Sequence, residues 1–150
     1  MKTRTQILEL TQKDLADLLT TATYGSNWLS ISTPNGNYKG TPLEDPQDWL
    51  EDKWAKVLLA GKNIFAHDWF AQDETEYYGN LVHVWCEEDM RYTLSLPVIM
   101  RGLSKAADSG SAYARKCYHD FVNRDDEGCF DISSAEELMQ WIIFGEPIYG

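Results

Sequence analysis

The sequence predicts one α+β domain spanning residues 1–150, in which a small antiparallel sheet of about four or five strands packs against about five helices. Apolar residues follow helical spacing near the N-terminus, form short strand-like runs in the middle, and return to helical spacing in three C-terminal segments. A run of strands followed by a run of helices is typical of α+β proteins rather than of a wound parallel sheet. The chain of 150 residues also has the usual size of one domain.

The N-terminal part is predicted to contain a strand, a helix and a second strand. The strand 5–10 precedes Thr11, which has the spacing of a capping box with Asp14 at the start of the first helix. This helix is expected to end at Tyr24-Gly25, before a strand at 28–31. Its buried face is predicted to consist of Leu15, Leu18, Leu19 and Ala22.

The central part begins with a long polar loop at 32–43, a length that is more often functional than incidental. Asp45 and Pro46 are typical of a helix start, and Gly61 is typical of a left-handed helix end. The predicted buried stripe of this helix is Leu50, Trp54, Val57 and Leu58. Strands at 64–69, 81–85 and 92–96, separated by acidic turns, are predicted to form an antiparallel meander.

Three helices are predicted at the C-terminal end. The first begins at Pro97, and the second spans 111–122 with Tyr113, Ala114, Cys117 and Phe121 in register. A charged turn at 124–128 separates it from the last helix. There Ser133 and Glu136 are expected to form a capping box, and Gly145 is expected to end the helix.

The composition restricts the classes of function. Twenty-four acidic and thirteen basic residues give a net charge of −11, which disfavours direct binding to nucleic acid because phosphate backbones are bound through Lys and Arg. No apolar run has the roughly 18 residues of a membrane helix, and no secretory signal is visible. Three cysteines without CxxC spacing favour a reducing compartment. The predicted location is the cytoplasm, without membrane association.

Acidic clusters and neighbouring aromatic residues form the predicted partner-binding set. Tyrosine and tryptophan anchors surrounded by carboxylates are suited to a protein surface rich in Lys and Arg. The alternative is that the acids form a solvated face and the aromatics cover a small core. The set comprises Tyr38, Asp45, Asp48, Trp49, Glu51, Asp52, Asp73, Glu74, Glu76, Tyr77, Tyr78, Glu87, Glu88 and Asp89. Tyr24 and Trp28 also lie near element ends, where partial exposure is expected, whereas Trp54, Trp85 and Trp141 fall on core faces.

Catalytic and metal-binding motifs are missing from the sequence. There is no Gly-x-Ser-x-Gly, no glycine-rich phosphate loop and no His-Glu-x-x-His. His83 and Cys86 are an odd number of residues apart and would point to opposite faces of a strand. Asp68, beside two aromatic residues, is a weak candidate for a carboxyl with a shifted pKa. The sequence therefore predicts a protein that is not an enzyme and has no cofactor or metal.

Three segments resemble a widespread family of small proteins of phages, prophages and related mobile elements. They are LLTTATYG at 18–25 followed by Trp28, LSLPVIMRGL at 94–103, and QWIIFGEPIYG at 140–150. The chain departs from that family in Ser26-Asn27, Pro147 and its central strands. Because the family has no established biochemical activity, the resemblance implies a source and not a reaction.

The leading functional hypothesis is an acidic, non-enzymatic interaction protein of a mobile element. It would inhibit a host defence complex by occupying a basic nucleic-acid-binding surface, as a DNA mimic. One alternative is a sponge that binds a host nucleotide signal in an aromatic pocket, for which the cations Arg91, Arg101, Lys105, Arg115 and Lys116 would supply a positive patch. Another alternative is a structural or regulatory accessory protein that forms a homodimer.

Overall fold

The computed structural model describes residues 9–33, 50–69, 86–87 and 91–149. For residues 50, 51, 86 and 87 it describes only the backbone. The helices within these ranges are α1 (Gln12–Tyr24), α2 (Leu50–Leu59), α3 (Leu96–Asp108), α4 (Ala112–Val122), α5 (Arg124–Glu127) and α6 (Ile132–Phe144). The strands are β1 (Leu29–Ser32), β2 (Ile64–Asp68), β3 (Cys86–Glu87) and β4 (Arg91–Leu94). The predicted α+β class is confirmed.

The sheet is antiparallel with the strand order β1-β2-β4-β3. Three of its strands have four or five residues and β3 has only two, so the described residues form three full strands and one very short one, at the lower end of the four or five expected. Along β2 the residues alternate, with Ile64, Ala66 and Asp68 buried and the two between them half-buried. This alternation places one face of the sheet against the helices.

Helix α6 is the centre of the helical layer, since α1, α3 and α4 all pack against it. Nine of its thirteen residues are buried, including Leu138, Met139 and Ile143. Helices α3 and α6 approach each other closely at Gly102 of α3, where a Cβ atom would lie 2.7 Å from the backbone nitrogen of Ile142 on α6. Burial on almost all sides explains why this helix is apolar with little periodicity.

Most predicted helix boundaries are confirmed because they depend on local chemistry. Thr11 accepts a hydrogen bond from the N–H of Asp14, whose carboxylate accepts one from the N–H of Thr11, as the capping box requires. Gly61 and Gly145 have φ angles of +80° and +78°, the left-handed conformation that ends a helix. The predicted strand at 5–10 lies mostly outside the described residues, and Glu9 and Leu10 are not in a strand.

Several boundary and burial predictions are wrong. The last helix is capped by Asp131, whose carboxylate accepts from the N–H of Ser134, and not by Ser133. This earlier start places Ser134 in the core and leaves Glu136 half-buried. The segment expected to be a charged turn forms the short helix α5 before Gly128. Three further predictions lie outside the described residues: the helix start at Asp45, the strand 81–85, and all but the first two residues of the loop at 32–43.

The aromatic residues divide differently from the prediction. Trp28 is buried because its ring packs on Phe144 and Tyr149, with centroids 5.8 and 5.2 Å away. Tyr113 is 49% exposed, although the helical register placed it on the buried face. Trp141 is only half-buried. Trp28 therefore belongs to the core between the sheet and the C-terminal tail, whereas Trp141 reaches the surface.

The C-terminal tail is fixed to the core by specific hydrogen bonds. The side-chain oxygen of Gln140 accepts from the N–H groups of Ile148 and Tyr149 at 2.8 and 2.7 Å. The hydroxyl of Tyr149 donates to the buried carboxylate of Asp68 at 2.6 Å. These contacts hold the tail on the domain through Tyr149, and they give Asp68 a structural partner.

Candidate functional site

Most of the predicted partner-binding residues lie outside the described part of the chain. Asp52 is half-buried on α2, and for Glu51 and Glu87 only the backbone is described, in α2 and β3. The residues outside the described ranges are Tyr38, Asp45, Asp48, Trp49, Asp73, Glu74, Glu76, Tyr77, Tyr78, Glu88 and Asp89. The predicted set therefore remains a prediction, and the described residues contain two other features.

The first feature is an acidic ridge formed by α1 and α5, which we define as Asp14, Asp17, Asp125, Asp126 and Glu127. Its centre is Arg124, whose side chain is 9% exposed. The Arg124 guanidinium donates through Nη2 to Asp14 at 2.6 Å and through Nε to Asp17 at 2.8 Å. It also donates through Nη1 to the carbonyl of Phe121 at 3.0 Å. A single arginine thus joins α1 to α5 across more than 100 residues of sequence.

The remaining contacts of the acidic ridge are exposed. Lys13 bridges Asp17 and Asp125 at 2.8 and 3.1 Å, and its side chain is 63% exposed. Glu127 lies 3.1 Å from the imidazole of His119. Among the described residues, five carboxylates thus face two permanent cations, Arg124 and Lys13, an excess of three negative charges.

The carboxylates contributed by α1 are held in their charged form. Burial opposes the charge of Asp14, but hydrogen bonds from the Thr11 N–H and the Arg124 guanidinium outweigh it and lower the pKa of Asp14. Burial likewise opposes the charge of Asp17, and hydrogen bonds from Lys13 and Arg124 lower its pKa. Both groups are therefore ionised at neutral pH in a fixed geometry.

The second feature is an open cleft of about 510 Å³ between the C-terminal ends of α3 and α6, which we call the α3–α6 cleft. Helix α3 contributes Arg101, Ser104, Lys105 and Asp108, and the indole of Trp141 contributes the α6 side. The indole N–H donates to the carboxylate of Glu137 at 2.9 Å. Because that N–H already has an acceptor, the indole adds an apolar wall to the cleft.

The α3–α6 cleft collects part of the predicted positive patch. Arg101 and Lys105 lie one turn apart on α3 and line it, and Arg115 donates to the carbonyl of Ser109 at its rim at 2.7 Å. Lys116 instead pairs with Asp120 at 2.6 Å. Arg91 lies over the ring of Phe65 on the sheet. Three of the five predicted cations are thus near one another.

Of the groups considered for catalysis, Asp68 accepts a hydrogen bond from Tyr149, His83 lies outside the described ranges, and only the backbone of Cys86 is described. In these ranges no three His, Cys, Asp or Glu side chains are close enough to hold a metal ion. Burial raises the pKa of the Cys117 thiol, which makes it a weaker nucleophile. The ring of His67 lies 3.9 Å from that of Trp69, and its buried Nε2 has no hydrogen-bond partner among the described residues.

The sequence contained part of the signal for both features. For the acidic ridge, the sequence shows three acids directly after Arg124, and Asp14 and Asp17 spaced along one side of α1. For the α3–α6 cleft, it shows the i, i+4 spacing of Arg101 and Lys105. Their partners are contributed by distant segments. Pairing of Arg124 with α1 depends on how the helices pack, which no local pattern specifies.

Neither protein-family models, curated proteins nor solved structures give a match to this chain. Among the described residues, none of the helices has the length and apolar character needed to cross a membrane.

Proposed function

We propose that this protein is a non-enzymatic acidic interaction protein of the phage or mobile-element type that inhibits a host defence complex. Its partner is a host protein or ribonucleoprotein whose basic surface normally binds nucleic acid. The observation that supports this proposal is the acidic ridge, whose five carboxylates exceed by three the permanent cations that contact them in the described part of the chain. The net charge of −11 of the whole chain acts in the same direction.

Fixed carboxylates are suited to such a surface for two reasons. A negative potential accelerates the encounter with a basic partner and suppresses association with acidic ones. Rigid charges also lose little conformational entropy on binding. Asp14 and Asp17 are immobilised by Arg124, and α5 is held between Asn123 and the left-handed Gly128. The acidic ridge is therefore organised before any partner binds.

The same charge distribution argues against direct binding of nucleic acid by this surface. Phosphates are repelled by carboxylates, and the guanidinium of Arg124 is already occupied by two of them. The half-buried Asp52 lies on α2, which packs against α1. Of the predicted partner-binding set, Asp52 therefore lies on a helix that packs against one of the two helices of the acidic ridge.

The test is an inhibition assay with nucleases of phage-defence systems, both guided and restriction types, cleaving a fluorescent DNA substrate. The variant Asp125→Lys with Asp126→Lys reverses two exposed charges of the acidic ridge. The matched control, Asp108→Lys with Glu146→Lys, changes the net charge equally at the other end of α6. Circular dichroism checks that both variants are folded.

We expect the wild-type protein to inhibit at least one nuclease in competition with DNA. Reversal of the ridge charges should raise the inhibitor concentration needed by roughly tenfold, equivalent to about 1.4 kcal/mol of binding free energy, and the control should leave it nearly unchanged. An absence of inhibition across the panel would refute the proposal. Equal loss of inhibition in both variants would show that total charge acts, and not this surface.

A further inference from the structure

We propose that the α3–α6 cleft binds a mononucleotide-sized ligand with a flat ring and a phosphate group. The cleft volume of about 510 Å³ lies within the range of roughly 300–1,000 Å³ found for small-molecule sites. This proposal does not rest on the inhibitor function, because the cleft lies at the end of α6 opposite the acidic ridge.

Among the described residues, the charged side chains that line the α3–α6 cleft are two cations and one carboxylate. They are Arg101, Lys105 and Asp108, and Arg115 reaches the rim, where it donates to the carbonyl of Ser109. Arg101 and Lys105 are both exposed. Guanidinium and ammonium groups one helical turn apart can bind neighbouring oxygens of a phosphate. Within a protein of charge −11, such a local excess of cations favours an anionic ligand here over other surfaces.

Trp141 provides the surface for a flat ring. Its side chain is only half-buried although it lies on the central helix, and its N–H is held by Glu137, which is 8% exposed. The hydrogen bond limits rotation of the indole and leaves its apolar surface to line the cleft. Nucleobases stack on such aromatic side chains without base-specific hydrogen bonds. The combination of a restrained indole and two cations selects a ligand with both a ring and a phosphate.

A purely structural role explains only part of this arrangement. The Nζ atom of Lys105 lies 3.2 Å from the position that a Cβ atom would occupy on Gly145, near the carbonyl end of α6. A cation there stabilises the negative end of the helix dipole. That role accounts for Lys105 but not for the open cleft beside Trp141. The two roles are separable, because helix stabilisation changes unfolding and ligand binding changes affinity.

The test is isothermal titration calorimetry of the full chain with AMP, GMP, UMP, inorganic phosphate and a short single-stranded oligonucleotide. The variant Arg101→Gln with Lys105→Gln removes the two cleft cations. Lys116→Gln removes one cation from α4, where Lys116 is paired with Asp120. The indole N–H resonance of Trp141 in a nuclear magnetic resonance spectrum of labelled protein reports on the position of the ligand.

We expect one or more mononucleotides to bind with a Kd below about 1 mM and to shift the Trp141 resonance. The cleft variant should weaken binding by at least roughly tenfold, and Lys116→Gln should not. Absence of binding at millimolar concentrations would overturn the proposal. So would equal affinity for inorganic phosphate, tighter binding of the oligonucleotide, or unchanged binding by a folded cleft variant. A failure of nuclease inhibition has no bearing on these outcomes.

Discussion

Replacement of Arg124 by alanine should destabilise the protein through the loss of charge pairing between α1 and α5. The arginine is 9% exposed, whereas the side chains of Asp14 and Asp17 are 25% and 36% exposed. Removing one partner of a fully buried ion pair costs about 3–5 kcal/mol. Because water reaches both carboxylates here, the expected cost is reduced to about 2 kcal/mol.

The pH dependence of this cost distinguishes charge pairing from packing. Asp14 and Asp17 have lower pKa values in the folded protein than in the unfolded chain, where an aspartate has a pKa of about 3.9. The stabilisation that their charged forms give the fold is therefore complete at pH values above the unfolded pKa. It is lost as the pH falls through the folded pKa values, because both carboxylates then become protonated. The difference in unfolding free energy between wild type and Arg124→Ala should therefore be largest near pH 7 and decrease below about pH 4.

The assay is urea unfolding followed by circular dichroism, at pH 7 and at steps down to the lowest pH at which both proteins fold. At pH 7 the melting temperature should also fall by about 4–8 °C for a chain of this length. The control is Lys13→Ala, which removes an exposed cation that contacts Asp17 and Asp125 from the solvent side and should destabilise the protein much less than Arg124→Ala. A pH-independent difference, or one below about 0.5 kcal/mol at pH 7, would refute the role assigned to Arg124.

Two further predictions concern the packing of the C-terminal part. Gly102→Ala should destabilise the protein by about 1–3 kcal/mol in urea unfolding, because the new methyl group overlaps the backbone of α6. The control Gly110→Ala should leave the stability unchanged, because no atom lies within 4 Å of the position of its new methyl group. Equal effects of the two would contradict the close packing of α3 and α6. Tyr149→Phe should cost about 1–3 kcal/mol, since the buried Asp68 loses a hydrogen bond, and it should speed proteolysis of the tail. An unchanged melting temperature and cleavage rate would exclude this anchoring role.

Local signals were the reliable part of the sequence. Thr11 and Asp14 form the predicted capping box, and Gly61 and Gly145 end helices in the predicted conformation. The same rules failed at Ser133 because Asp131, two residues earlier, is also a strong cap. The N–H of Ser134 donates to the Asp131 carboxylate and lowers its pKa. Two adequate caps at neighbouring positions cannot be ranked without knowing which residues the core requires, here Ser134 and Ala135.

The α3–α6 cleft shows why site geometry depends on information that is distributed along the chain. The i, i+4 spacing places Arg101 and Lys105 on one face of a helix, but Trp141 reaches the same cleft only because α3 and α6 pack closely. That close packing requires the absence of a side chain at Gly102, the residue directly after Arg101. The cations and the glycine that brings the two helices together are therefore neighbours in sequence. A substitution that moves α3 away from α6 should weaken ligand binding at the cleft even if both cations remain.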